Sequence, residues 1–192
     1  MALRALKERK AGKEYRCGRC GDTIPKGTQY RYWEMGFRPS YKRIVCMKAT
    51  CTPRASERET SNVSEAYAAQ EGAEDALDSL ASAEVETWED VKGDIERAVT
   101  EAGEAIYDVG YQYREADEAF GGQGATESAE RADTLEAAAD ELQGFTIDAA
   151  PEPCSEHDTL TAGCSDCEEN VGTWFDSAVT EARDAVTGVE LP

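Results

Sequence analysis

Seven cysteines and a single histidine in 192 residues fall into two groups whose spacing suits metal chemistry. The first runs Cys17-x2-Cys20-x25-Cys46-x4-Cys51 within "YRCGRCGDTIPKGTQYRYWEMGFRPSYKRIVCMKATC". A Cys-x2-Cys turn carrying Gly18 and Gly21 lets two thiolates converge on one ion, with nearby backbone N–H groups bonding the sulfurs. The second runs Cys154-x2-His157-x6-Cys164-x2-Cys167, two pairs at the spacing a tetrahedral site requires. Gly163 in its loop can take a positive φ, so the chain can reverse tightly. Eight ligands make two complete tetrahedra with nothing left over. The expectation is two structural Zn2+ ions, with His157 neutral and metal-bound. Catalytic zinc usually keeps one coordination position for water, and neither quartet leaves one.

No other catalytic pattern accompanies these groups. There is no P-loop, no nucleophile elbow and no Gly-rich loop after a strand, and committing His157 to metal removes the common nucleophile–histidine pairs. The chain therefore reads as non-enzymatic, with no catalytic residue assigned.

The elements that must hold the first quartet are a short hairpin and a helix start. Thr28–Met35 and Ser40–Val45 read as strands joined through Gly36 and Pro39. A hairpin that short is marginal alone, and metal-binding energy would stabilise it as folding energy. Thr52 reads as an N-cap and Pro53 as a first-turn residue of the helix that follows. Knuckle, hairpin and paired ligands entering a helix resemble a treble-clef zinc finger, with a zinc ribbon as the close alternative. In the second quartet, Cys167 leads into "EENVGTWFDSAVTEARDAV", whose positive dipole end favours thiolates.

Apolar residues at steps of three and four predict the remaining helices. Val63, Tyr67, Ala73, Leu77 and Leu80 mark one over about 54–82. A second, 87–119, carries Trp88, Val91, Ile95, Ala98 or Val99, Ala102, Ile106, Val109, Tyr113, Ala116 and, just beyond it, Phe120. Thr87 and Asp90 form its capping box, and "GGQG" at 121–124 breaks it. A third, 125–143, carries Ala129, Ala132, Leu135, Ala139 and Leu142. The second and third should pack antiparallel, with the first and last helices completing a bundle. A coiled-coil homodimer through the long helix is the alternative packing. The fold class is thus mostly α, with a small N-terminal treble-clef or zinc-ribbon β-hairpin module and a second zinc site before the last helix. The segments are a basic finger at 1–53, acidic helices at 54–150, and the second site with its helix at 151–192.

Charge divides the chain sharply. Residues 1–60 carry 15 Lys/Arg and 6 Asp/Glu, and residues 61–192 carry 5 and 34. An acidic helical body suits an unidentified basic protein partner; an acidic, salt-adapted proteome is the blander reading. In the basic head, Arg16, Arg19, Arg31, Arg38, Lys42 and Arg43 interleave with aromatics including Tyr30, Tyr32 and Trp33. That pattern could bind DNA or RNA, cations on phosphates and rings on bases. No apolar run approaches the ~18–20 residues that span a membrane, and "MALRALKERKAGKEYRCGRC" has no signal-length apolar stretch. A cytoplasmic protein with reduced thiols is expected.

"CGRCGDTIPKGTQYRYWEMGFRPSYKRIVC", "SEAYAAQEGAEDAL" and "YREADEAFGGQGATESAERADTLEAAADELQGF" resemble uncharacterised zinc-finger proteins of tailed phages of actinobacteria. The resemblance covers residues 13–145. It implies a finger with Cys17, Cys20, Cys46 and Cys51 as ligands, followed by an acidic helical hairpin. It also implies a viral setting: the host cytoplasm, where the acidic surface would meet a host DNA-binding protein, or the virion, as a structural or assembly component. The Cys154–Cys167 cluster stands on its own spacing.

Overall fold

In the computed structural model, residues 4–35, 42–59, 61–80, 87–119 and 126–192 are described. The chain forms two compact units, Met1–Ala68 with Pro192, and Ala69–Leu191. Residues 151–191 fall in the same compact unit as the helices from Ala69 onward.

The N-terminal unit is built on a three-stranded antiparallel sheet in the order β1 (Lys7–Lys10), β4 (Gln29–Glu34), β5 (Lys42–Cys46). The expected hairpin is β4–β5, registered with Tyr30 opposite Cys46 and Trp33 opposite Arg43. β1 was not foreseen. Its four residues, KERK, are all exposed, so it has no alternating apolar signal; it joins β4 through backbone pairing and the Glu8–Arg31 and Lys7–Glu34 ion pairs. A second ladder, β2 (Tyr15–Arg16) with β3 (Thr23–Ile24), forms the base of the Cys17–Cys20 turn. Ile24, Tyr30, Trp33, Val45 and Ala11 make the core together with Cys17 and Cys51.

The first helix expected from the sequence is two helices. α1 is only Ala55–Arg58, and α2 is Val63–Leu80. Thr52 does not start it: Thr52 closes a single 3-10 turn at Ala49–Cys51, and Arg54 occupies the cap of α1. The Arg54 N–H donates to Glu57 Oε2 at 2.7 Å, so the acid three residues on holds the turn. The break follows from Glu59, buried at 5% exposure, whose carboxylate accepts from the Ser61 N–H and hydroxyl at 3.1 and 2.9 Å.

In the second unit, α3 (Trp88–Ala119) and α4 (Thr126–Gln143) pack antiparallel. Gly103 faces Ala139 and Gln143, while Gly110 faces Leu135 and Ala132. A Cβ at Gly103 would come within 3.1 Å of the Ala139 carbonyl, so glycine sets how closely the two backbones approach. Ile95, Val99, Ile106, Leu135, Ala139 and Leu142 are essentially inaccessible, as the periodicity required. Ala116, expected on the buried stripe, is exposed near the end of α3. Thr87 Oγ1 donates to Asp90 Oδ2 at 2.6 Å and accepts from the Asp90 N–H at 3.2 Å, the expected capping box. α5 (Ser165–Gly188) buries Trp174, Ala178, Val179, Ala182 and Val186. It meets α2 through Gln70 Nε2 on the Val186 carbonyl and an Arg183–Asp78 ion pair. Trp174 meets Trp88 of α3 edge-on at 5.7 Å. The turns through Gly36–Pro39 and residues 121–124, with Arg38 and Phe120, lie outside the described residues. No helix among the described residues is long and apolar enough to cross a membrane.

Candidate metal centres

Each expected quartet converges. The thiols of Cys17, Cys20, Cys46 and Cys51, and those of Cys154, Cys164 and Cys167 with a ring nitrogen of His157, form two groups that could hold a metal ion. Within each group every ligand atom lies within 4.8 Å of the others. All seven cysteines are free thiols.

At the first centre, the Cys17–Cys20 turn closes through Cys17 N–H to Asp22 O and Gly21 N–H to Cys17 O, at 2.8 and 3.0 Å. Gly21 takes φ of 75°, a conformation that favours glycine. The Gly18 N–H bonds the Ile44 carbonyl at 2.8 Å, which docks the turn on β5 and brings Cys46 alongside. The Cys46 N–H donates to Cys17 Sγ at 3.3 Å. Cys51 arrives on the 3-10 turn, 1% exposed. Lys48 and Asp22 clamp the two halves with a 2.5 Å ion pair, which holds the Asp22 carboxyl below its usual range.

At the second centre, a strap after α4 carries Cys154 into place. Ile147 is buried; its N–H donates to Glu96 Oε1 at 2.9 Å and its carbonyl accepts from Lys92. Trp174 Nε1 and Asn170 Nδ2 of α5 hold the Ala149 and Glu152 carbonyls at 2.6 and 3.0 Å. His157 N–H then bonds Cys154 O at 3.0 Å, making a tight turn of the first pair. Gly163 takes φ of 79° as expected, and its N–H donates to Glu168 Oε1 at 3.1 Å. Cys164 caps α5 and Cys167 sits in its first turn, 2% exposed. The imidazole faces the thiols through Nδ1, 3.0 Å from Cys154 Sγ and 3.8 Å from Cys167 Sγ.

The thiols are electrostatically divided. Burial raises the Cys17 thiol, yet the backbone N–H groups of Cys20, Cys46 and Arg19 outweigh it and bring it down to about 6. The Asp22 N–H favours the Cys20 thiolate, but desolvation and the neighbouring thiols of Cys17, Cys51 and Cys46 push it up to about 12. Burial and Cys46 also raise Cys51. The second centre repeats the pattern. Backbone N–H groups of Cys154 and Thr161 lower Cys167 to about 7. Cys154 is raised: desolvation with Cys167 and Cys164 prevails over the Glu156 N–H. Cys17 and Cys167 thus favour the thiolate while Cys20, Cys51 and Cys154 resist it, because like charges this close repel. A divalent cation at the centre reverses that cost.

The expected nucleic-acid residues separate. Tyr30 and Trp33 lie in the core at 5% and 2% exposure, and Trp33 Nε1 donates to the Glu57 carbonyl at 3.0 Å. They offer no face to a base, because so small a unit needs its largest rings inside. Tyr32 is half-buried with Lys42 over its ring at 5.0 Å. Arg31 is engaged by Glu8 and by Thr52 Oγ1. Arg16, Arg19, Lys42 and Arg43 stay exposed. Glu57, which the ligand spacing did not single out, ties this face together by bonding Arg19, the Arg54 N–H and, through its carbonyl, Trp33. Its position three residues after Arg54 was the available signal.

Comparison of the chain with protein-family models, curated proteins and solved structures finds no match.

Proposed function

We propose that the chain is a non-enzymatic interaction module, braced by two structural zinc ions, whose acidic helices engage a basic protein. Support for zinc comes from the ligand spacing. Two sulfurs bound at ~2.3 Å to one tetrahedral ion stand about 3.8 Å apart; Cys20–Cys46 and Cys154–Cys164 are at 3.8 and 3.9 Å. Soft thiolates with one imidazole suit zinc, and four protein ligands at each centre leave no position for substrate or water. The finger reads as a treble clef rather than a ribbon, because its second pair passes through a helical turn instead of a second strand turn.

The partner's charge is argued from the balance beyond residue 60, where Asp and Glu outnumber Lys and Arg by 29. On α3 the exposed side chains Glu101, Glu104, Asp108, Glu115 and Glu118 surround Tyr107 and Tyr111, which are 43% and 50% exposed. Glu115 raises the Tyr111 hydroxyl, a sign of the negative field there. Exposed tyrosines are common binding anchors, and their faces attract Lys and Arg. A basic DNA-binding protein of an actinobacterial host is the fitting class. The test is capture from such a lysate at moderate salt, comparing the chain with its Tyr107→Ala/Tyr111→Ala form. A specific basic protein that the first retains and the second does not is expected. No such protein, or equal capture by both, refutes the reading.

A further inference from the structure

Four of the exposed cations of the N-terminal unit, Arg16, Arg19, Lys42 and Arg43, line one cleft. It has a volume of about 380 Å3, with Glu57 as the one carboxylate among the described lining residues. Trp33 contributes to its wall but is 2% exposed, so among the described residues the cleft has charge without a stacking surface.

Two of the guanidinium groups are already oriented. Arg16 Nε donates to the Gly21 carbonyl at 3.0 Å, and Arg19 Nη1 donates to the Thr52 carbonyl at 2.5 Å and to Glu57 at 3.3 Å. Each guanidinium carries five donors, so these bonds position the fork and leave further N–H groups for a ligand. Lys42 is shared with Glu34 at 3.3 Å, and Arg43 is exposed beside it. The wall beneath is stiff: Gly18 is bonded to Ile44, and β5 to β4. The four cations of the lining outnumber the two described carboxylates that pair with them, Glu34 and Glu57, and the excess calls for an anionic ligand.

We propose that this cleft binds the phosphodiester backbone of duplex DNA without reading its bases. The duplex presents one charge per ~1.7 Å of axis, and Arg forks match phosphate oxygens bidentately. With Tyr30 and Trp33 in the core, the described lining of the cleft offers contacts to phosphates, which position a protein but carry no sequence information. The inference concerns the head alone and stands or falls apart from the acidic-surface reading.

The experiment uses the full metal-loaded chain and a fluorescent duplex at low salt, repeated with a duplex of unrelated sequence. Lys42→Glu/Arg43→Glu is compared with Lys26→Glu, a charge reversal at an exposed turn residue away from the cleft. The unaltered chain should bind both duplexes equally. The cleft variant should bind at least tenfold more weakly, with a salt slope shallower by about 1 for each phosphate it no longer neutralises, and Lys26→Glu should change binding less than twofold. Metal content and circular dichroism establish that each variant is folded. A charge-only effect would weaken Lys26→Glu as much as an equivalent single reversal, Arg43→Glu, and would overturn the proposal. So would failure of the unaltered chain to bind duplex, strong preference for one sequence, or equal competition by polyglutamate.

Discussion

His157 carries the clearest consequence at the scale of one residue. Its Nδ1 lies 3.0 Å from Cys154 Sγ, somewhat closer than two ligands of a shared tetrahedral ion stand, so binding should part them slightly. His157→Ala should take the metal count from two per chain to one while the N-terminal centre keeps its ion, as native mass spectrometry will read. His157→Cys should restore the second ion. Protons compete at the same atoms. The Cys17 and Cys167 thiols are lowered to about 6 and about 7, from an ordinary value near 9. A lowered folded value contributes stability above the unfolded value, and that stability is lost as pH falls through the folded one. Binding displaces the remaining thiol protons, so both ions should stay at neutral pH and leave on acidification below about pH 6. The second centre should empty first, since its lowest thiol titrates higher. A metal-sensitive dye followed against pH will show the order; a first centre that emptied earlier would contradict it.

Between elements, glycine decides the closeness of α3 and α4. Exposed helical glycines normally gain about 1 kcal/mol on replacement by alanine. At Gly93, where a Cβ would meet nothing within 4 Å, Gly93→Ala should stabilise by roughly that amount. At Gly103 a Cβ would meet Gln143 Cγ at 3.0 Å, and the Ala139 carbonyl and Gln143 N at 3.1 Å. Backbone atoms cannot step aside there. Gly103→Ala should therefore destabilise despite its better propensity, and Gly103→Val more so. Urea midpoints of the three variants will decide; a stabilising Gly103→Ala would mean that the helices are farther apart. Arg114, bonded to Glu136 at 2.5 Å and Asp133 at 2.9 Å, secures the other end of the same pair.

Across the molecule, the two centres lie in different units and brace different things. The first sits within the small N-terminal core, which includes Cys17 and Cys51. The second joins the strap to the start of α5. The α3–α4 core of Ile95, Val99, Ile106, Leu135 and Leu142 contains no ligand. A strong chelator should consequently abolish the near-ultraviolet signals of Trp33 and Trp174 while most far-ultraviolet helicity persists. Loss of all helicity, or of neither signal, would contradict this division. Salt should act on the helical unit as well: its excess of carboxylates repels itself, and screening shortens that repulsion. Its melting temperature should rise between low and moderate salt.

Local spacing alone determined the two ligand sets, the capping box of α3 and the extents of the long helices, because each depends on residues within one or two turns. Cys164, Gly163 and Thr87 occupy the roles their neighbours dictate. Tertiary structure decided what depends on distant partners. β1 forms because β4 has a free edge, though KERK carries no strand pattern. Glu59 divides the first helix because burial makes its carboxylate seek the Ser61 donors. Tyr30 and Trp33, spaced in sequence as a nucleic-acid surface would be, face inward because a small core requires its largest rings. That leaves Arg16, Arg19, Lys42 and Arg43, brought together from β2, the Cys17–Cys20 turn and β5, to line one cationic cleft.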